Sequence, residues 1–313
     1  MHKDNPLLGV LLMLGFCVVA PMGDAVAKLL GERVPIGQLL FVRFGVQALV
    51  LLPIVALTGR IWRMHGRVLW LTLLRTLLHI LGIGMMFSAL RYLPLADAIA
   101  IAFIMPFLML LLGHFVLGEE VGMRRMLACA VGFAGTLMVV QPAFQEVGWP
   151  ALLPLGVAVN FSMFMLVTRQ IARDTDPIGL QAVSGVMAVA IIAPLLLFVP
   201  DLGTGALTWI APNGTTWTLL LSIGLLGTLA HLLMTWSLRF APGATLAPMQ
   251  YLEIPIATVI GLVVFGDLPN GLAMAGICVT LAAGLYIVMR ERAMMRAATP
   301  APIAPVPGKT AAE

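Results

Sequence analysis

The chain is partitioned into about ten apolar runs, most of them long enough to cross a bilayer, and the charge is concentrated in the short segments between them. A helix rises 1.5 Å per residue, so roughly 20 apolar residues traverse the ~30 Å hydrocarbon layer. Breaks at charged and Gly/Pro-rich segments give spans near 7–30, 36–58, 68–90, 95–117, 124–141, 151–171, 178–199, 216–238, 244–265 and 272–289. Apolar residues make up 61% of the chain and charged residues 10%, and the mean hydropathy is +1.04, too little charge to clothe a soluble fold. The fold class is therefore an all-α integral membrane protein with ten transmembrane helices. The first run, 7–30, is too long for a signal-peptide core and carries Asp24 and Lys28, so it reads as a retained span.

Loop charge sets the expected orientation. With both termini in the cytoplasm, thirteen of the eighteen Lys and Arg residues fall in inside segments, while outside loops hold only Arg33 and Arg91. That asymmetry follows the positive-inside rule and places the chain in a bacterial cytoplasmic (inner) membrane as a multi-pass protein. The net charge of +4 is spread over loops rather than gathered on one face, which argues against a nucleic-acid partner. Cys17, Cys129 and Cys278 lie apart within apolar runs and read as core filler, not as disulfides or metal ligands. No phosphate loop, zinc-protease helix, nucleophile elbow or paired-cysteine motif is present, so no catalytic residue, cofactor or metal is assigned.

The second half of the chain echoes the first at an offset near 148. Arg91-Tyr92-Leu93-Pro94-Leu95-Ala96 matches Arg239-Phe240-Ala241-Pro242-Gly243-Ala244. Pro106 matches Pro255 within one residue, and Gly118-Glu119 matches Gly266-Asp267. Five crossings per copy force the second copy to enter the membrane upside down. The expected units are 1–142 and 143–292, two inverted five-helix repeats, followed by a disordered Ala/Pro-rich cytoplasmic tail at 293–313. Inverted repeats enclosing a midplane site are the architecture of many secondary transporters.

The segment 89–98, with Pro106 and Leu117-Gly118-Glu119, resembles the signature of the drug/metabolite transporter superfamily in its EamA-type branch. The copy with Pro242, Pro255 and Gly266-Asp267 is similar, with Asp in place of Glu. The resemblance covers roughly residues 5–292 and is nearly silent on cargo. It implies two inverted five-helix units around a cavity lined mainly by the first four helices of each, with helices 5 and 10 peripheral. Members of that superfamily include metabolite exporters and uptake systems for S-adenosylmethionine and riboflavin.

Ionisable groups are costly in hydrocarbon, so each one within a span is a pathway candidate. Glu253 is the sharpest, near mid-span and beside Pro255, whose missing N–H frees a backbone carbonyl. Its readings are a handle for a cationic solute, a carrier of a coupling proton, or a fixed partner of Arg75 or Arg239. Asp24, Lys28 and Arg43 fall at similar depth and form either a permanent ion-pair cluster or an outer gate. His79, Arg75, Asn160 and His231 lie at depths that suit the same cavity, the histidines as proton carriers or simple hydrogen bonders. Gln250 carries the same ambiguity. Tyr251 and Trp236 suit stacking on a ring or quaternary amine, Trp236 equally an interfacial belt. Asp97 and His114 lie near span ends and read as solvated or capping. The small-residue face Ala128, Gly132 and Gly135 serves either packing within one protomer or a homodimer contact.

The expected function is secondary transport of a small organic metabolite by alternating access, driven by proton coupling, exchange or facilitation. The favoured solute is zwitterionic or cationic, such as an amino acid, S-adenosylmethionine or a quaternary amine. Riboflavin or another aromatic metabolite is the alternative cargo. A lipid-modifying membrane enzyme is the alternative of another class, disfavoured because no acid/base or metal-ligand cluster occurs at the helix ends.

Overall fold

The computed structural model describes residues 6–31, 33–105, 107–108, 123–171, 174–199, 205–240 and 249–298. Every regular element among them is helical: α1 (Pro6–Leu30), α2 (Ile36–Thr58), α3 (Gly66–Ala89), α4 (Leu95–Ala102), α5 (Met123–Val147), α6 (Leu153–Ile171), α7 (Pro177–Phe198), α8 (Gly214–Phe240), α9 (Glu253–Ile260) and α10 (Gly271–Ala298). A 3-10 turn at Trp149–Leu152 precedes α6, and a π turn at Gly261–Phe265 follows α9. Seven of these helices are long and apolar enough to cross a membrane, and Glu253–Phe265 and Gly271–Tyr286 are shorter apolar helices. The span expected at 95–117 is described only as far as residue 108, without Pro106; His114 and Gly118-Glu119 lie outside the described residues.

Short polar side chains start several helices where the orphan N–H groups need acceptors. Asp176 accepts from the Ile178 and Gly179 amides at 3.1 Å, with Pro177 in the first turn of α7. Asn213 accepts from Thr216 N at 2.8 Å ahead of α8, and Asn270 accepts from Ala273 N at 2.8 Å ahead of α10. Within the spans, Thr76, Ser162, Thr228 and Thr235 donate to the carbonyl four residues back, so their hydroxyls are satisfied without leaving the helix. Leu57, Leu197, Phe198 and Val263 are exposed, as lipid-facing residues must be.

Two boundaries differ from expectation. The division expected between 142 and 143 falls inside α5, because Pro142 is carried within the helix; the chain turns instead at Gly148, whose φ is 72°. At the position where the tail is expected, 293, α10 continues to Ala298 through the helix-favouring run Ala-Met-Met-Arg-Ala-Ala. Residues 299–313 lie outside the described residues.

Among the helix pairs in contact are α1 with α8, α3 with α6, α2 with α7, α4 with α9 and α5 with α10. Replacing each helix by its counterpart five places along leaves this set unchanged: α1–α8 becomes α6–α3, and the other three pairs map onto themselves. A two-fold relation between halves produces that invariance. The α5–α10 pair approaches closely because Gly135 meets Gly276; a Cβ on Gly276 would stand 2.5 Å from the Gly135 carbonyl oxygen. Gly276→Val is therefore expected to force these helices apart and destabilise the bundle by about 1–3 kcal/mol, read as a lower unfolding temperature in detergent.

Candidate functional site

The pairing leaves a cavity of about 160 Å³ between α1, α2, α3, α4, α6, α8 and the start of α9. Neither α5 nor α10 contributes to its lining among the described residues. Seven polar side chains predicted from the sequence face it: Asp24 from α1, Arg43 from α2, His79 from α3, Asn160 from α6, His231 from α8, and Gln250 with Glu253 at the head of α9. The rest of the wall is apolar, with Phe16, Phe87, Phe103, Phe161 and Phe164 supplying rings.

Glu253 sits at a break in the helix. Pro255 has no N–H, so the Tyr251 carbonyl takes a long 3.3 Å bond from Ile254 N instead of a regular helical partner. Leu252 N turns back to the Met249 carbonyl at 3.0 Å, which Cys17 Sγ also reaches at 3.2 Å. A second interruption follows α4, where Ile104 N bonds the Ile101 carbonyl at 3.3 Å beside cavity residues Phe103 and Met105. Non-helical backbone at this depth is tolerated where it lines a cavity.

Asp24, Arg43 and Glu253 make no hydrogen bond and no ion pair within 4.0 Å to any described residue, though Asp24 and Arg43 act on one another across the space. Arg43 lies with Cζ 4.6 Å from the Phe44 ring centroid and its guanidinium against Gly227, where a Cβ would come within 3.0 Å. Ionised groups are costly in hydrocarbon unless paired, hydrogen-bonded or neutralised by a proton, so these three side chains mark the polar part of the cavity. Asn160 donates to the Leu78 carbonyl at 2.7 Å and leaves Oδ1 unpartnered; its amide occupies the space a side chain on Gly82 would fill.

Four predicted residues are placed elsewhere. Arg75 is fully buried beside the cavity, donating from Nε to Thr168 at 3.0 Å and from Nη1 to Ser184 at 3.1 Å, with Cζ 4.5 Å from the Phe164 ring centroid. It is not a partner of Glu253. Tyr251 turns away from the lining, packing on Phe103 at 5.5 Å and against Gly284 of α10. Trp236 packs on Leu51, Val55, Ile178 and Leu232, away from the lining. Lys28 does not pair with Asp24. Its Nζ binds Asp267 at 2.9 Å and the Leu93 carbonyl at 2.9 Å, tying the end of α1 to the segment after α9. Asp97, expected to be solvated or capping, is 7% exposed, makes no cap bond, and has no partner for Oδ1 among the described residues, because α1 and the Lys28–Asp267 region close over the start of α4.

The opposite end of the bundle carries a matching tie. Asp176 binds Arg60 at 2.9 Å and stands 4.0 Å from Arg239, and Arg67 donates to Gln170 at 2.9 Å. Between the two ends, Gln47 donates to the Gln181 carbonyl at 2.7 Å. The phenylalanines were missed from sequence. One signal existed: Phe164 follows Asn160 by four residues and so shares its helix face.

A polytopic bundle of paired helices around a polar cavity, tied at both ends by ion pairs, has the form of a membrane transporter. Residues 7–141 match the EamA-like transporter family. The chain is 30% identical to a riboflavin transporter of Rhizobium johnstonii over 82% of each chain. It is 26% identical to a riboflavin transporter of Vibrio cholerae, covering 92% of this chain and 95% of that one. It is also 24% identical to an S-adenosylmethionine uptake transporter of Rickettsia felis, covering 89% and 91%. A crystal structure at 19% identity shares the fold with a TM-score of 0.63 over 91% of this chain and 98% of that one. The chain belongs to the EamA-like transporter family, within the drug/metabolite transporter superfamily. It is a multi-pass membrane protein that transports a small organic solute.

Proposed function

We propose that the protein moves an organic cation or zwitterion bearing an aromatic part, with S-adenosylmethionine as the representative solute, by alternating access across a bacterial cytoplasmic membrane and without altering it chemically. The observation that carries this reading is the pair of carboxylates, Asp24 and Glu253, that face an aromatic-walled cavity with no ion pair within 4.0 Å to any described residue. An ammonium or sulfonium group meets them directly, Arg43 suits a solute carboxylate, and the phenylalanine rings suit a base or alkyl chain. Residues 1–147 and 149–298 act as the two rocking halves, with both termini cytoplasmic, the Lys28–Asp267 tie outside and the Arg60–Asp176 tie inside. The three relatives above carry riboflavin or S-adenosylmethionine in their names, and the five phenylalanines also favour riboflavin as the second reading.

Counterflow in proteoliposomes tests both. Labelled S-adenosylmethionine should enter vesicles preloaded with the unlabelled compound and saturate with concentration. Saturable counterflow of riboflavin alone would replace the first reading by the second.

The outer tie makes a smaller prediction. Lys28 and Asp267 are partly exposed, so the pair contributes at most about 1 kcal/mol, and losing it shifts a two-state gate by roughly fivefold. Asp267→Asn is expected to raise labelling of a cysteine placed at Ala102 by an impermeant maleimide from the outside by about that factor. Unchanged labelling would remove the pair from the gate.

A further inference from the structure

His79 of α3 and His231 of α8 meet Nε2 to Nε2 at 3.1 Å, with ring centroids 4.3 Å apart. Two imidazole nitrogens at that distance share one hydrogen, so one ring presents Nε2–H and the other its Nε2 lone pair. The donor ring is then bare at Nδ1, and the acceptor ring carries its hydrogen there. Both Nδ1 atoms are buried and have no hydrogen-bond partner among the described residues. Phe44 and Phe164 hold the His79 ring at centroid distances of 5.1 and 5.0 Å. The two rings come from counterpart helices five places apart, one from each half.

We propose that His79 and His231 relay one proton between the two halves in each transport cycle. The proposal rests on the transport reading above and names its coupling ion. The steps balance without any further reactant. A proton adds to the bare Nδ1 of the donor ring and makes it an imidazolium. Its Nε2–H bond breaks as that hydrogen passes to the facing Nε2, and the second ring becomes the imidazolium. That ring releases the hydrogen from its own Nδ1. One proton has entered and one has left, and each ring now holds the tautomer the other began with. A second proton cannot follow in the same direction until the contact opens and the rings reset. Rocking of α3 away from α8 supplies that reset, which fixes one proton to one cycle.

The charged groups facing the pair are Arg43 of α2 and Arg75 of α3, with Asp24 of α1 and Glu253 of α9 across the same cavity. From α1, Cys17 is engaged with the Met249 carbonyl, α7 holds no titratable residue, and in α6 Arg169 falls two residues before the helix end.

The test combines nitrogen-15 histidine spectra of the full chain in lipid with solute flux. The spectra need no solute: they should show one Nε2–H donor coupled through its hydrogen to a bare Nε2, with that coupling lost in His79→Gln and His231→Gln. Glutamine keeps a donor across the gap but cannot pass a proton onward. With S-adenosylmethionine and riboflavin as probes, counterflow at equal pH is measured for each variant as its own reference. Their accumulation driven by an imposed pH gradient should fall to the level of protein-free vesicles. Two uncoupled rings in the wild-type spectra, or gradient-driven accumulation in either glutamine variant equal to wild type, would overturn the relay. Absence of counterflow in the wild-type protein would instead count against the transport reading.

Discussion

Glu253→Gln is expected to weaken solute binding by tenfold to a hundredfold while leaving the protein folded. The carboxylate faces the cavity from the first turn of α9 and holds no ion pair or hydrogen bond to a described residue, so its removal strands no protein partner. A charge-assisted hydrogen bond to a cationic solute contributes about 1.5–3 kcal/mol, which is that range in affinity. The amide is nearly isosteric and cheaper to desolvate, so the unfolding temperature should hold or rise. Solute-induced thermal stabilisation and counterflow KM together measure the effect. An unchanged KM for both probe solutes would remove Glu253 from recognition and leave Asp24 as the remaining unpaired carboxylate of the cavity.

Asp176→Ala is expected to combine two separate stability losses. This one carboxylate caps α7 through two backbone amides and ties Arg60 of the first half to the second. Losing an Asp N-cap costs about 1 kcal/mol, and the partly exposed ion pair adds a few tenths to 1 kcal/mol, so the total is about 1–2 kcal/mol. Asp176→Asn separates the two contributions, because the amide oxygen still caps the helix while the charge is gone. The alanine variant should therefore unfold at a lower temperature than the asparagine variant. Both should open the same end of the bundle, measured as greater reactivity of a cysteine introduced at Phe161. Equal unfolding temperatures for the two variants would assign the whole effect to the ion pair and none to the cap.

Cavity membership was legible where hydrocarbon makes polarity expensive. Asp24, Arg43, His79, Asn160, His231, Gln250 and Glu253 all announce themselves as polar groups within apolar spans, and all seven line one space. Helix rotation was not legible. Trp236 and Tyr251 sit on spans that are apolar nearly all round, and such a helix carries no polar stripe to say which side faces inward. Lys28 shows a different limit. Its spacing from Asp24 puts the two on one helix face, but its partner, Asp267, lies 239 residues along the chain. Asp97 reads as solvated or capping from its place near a span end; its burial depends on α1 and Asp267 arriving from elsewhere. The two unit boundaries were misjudged for local reasons, since Pro142 is accommodated inside α5 and the Ala/Met/Arg run extends α10.

The interrupted backbone before Pro255 bears on how such a carrier changes cargo over evolutionary time. The Tyr251 carbonyl takes its long 3.3 Å bond from Ile254 there because Pro255 has no N–H to offer, so the break is set by the proline and not by the polar side chains around it. The flanking positions Gln250 and Glu253 are then free to vary, and each exchange there retunes selectivity without rebuilding the bundle. One scaffold can in this way serve a flavin in one lineage and a sulfonium in another.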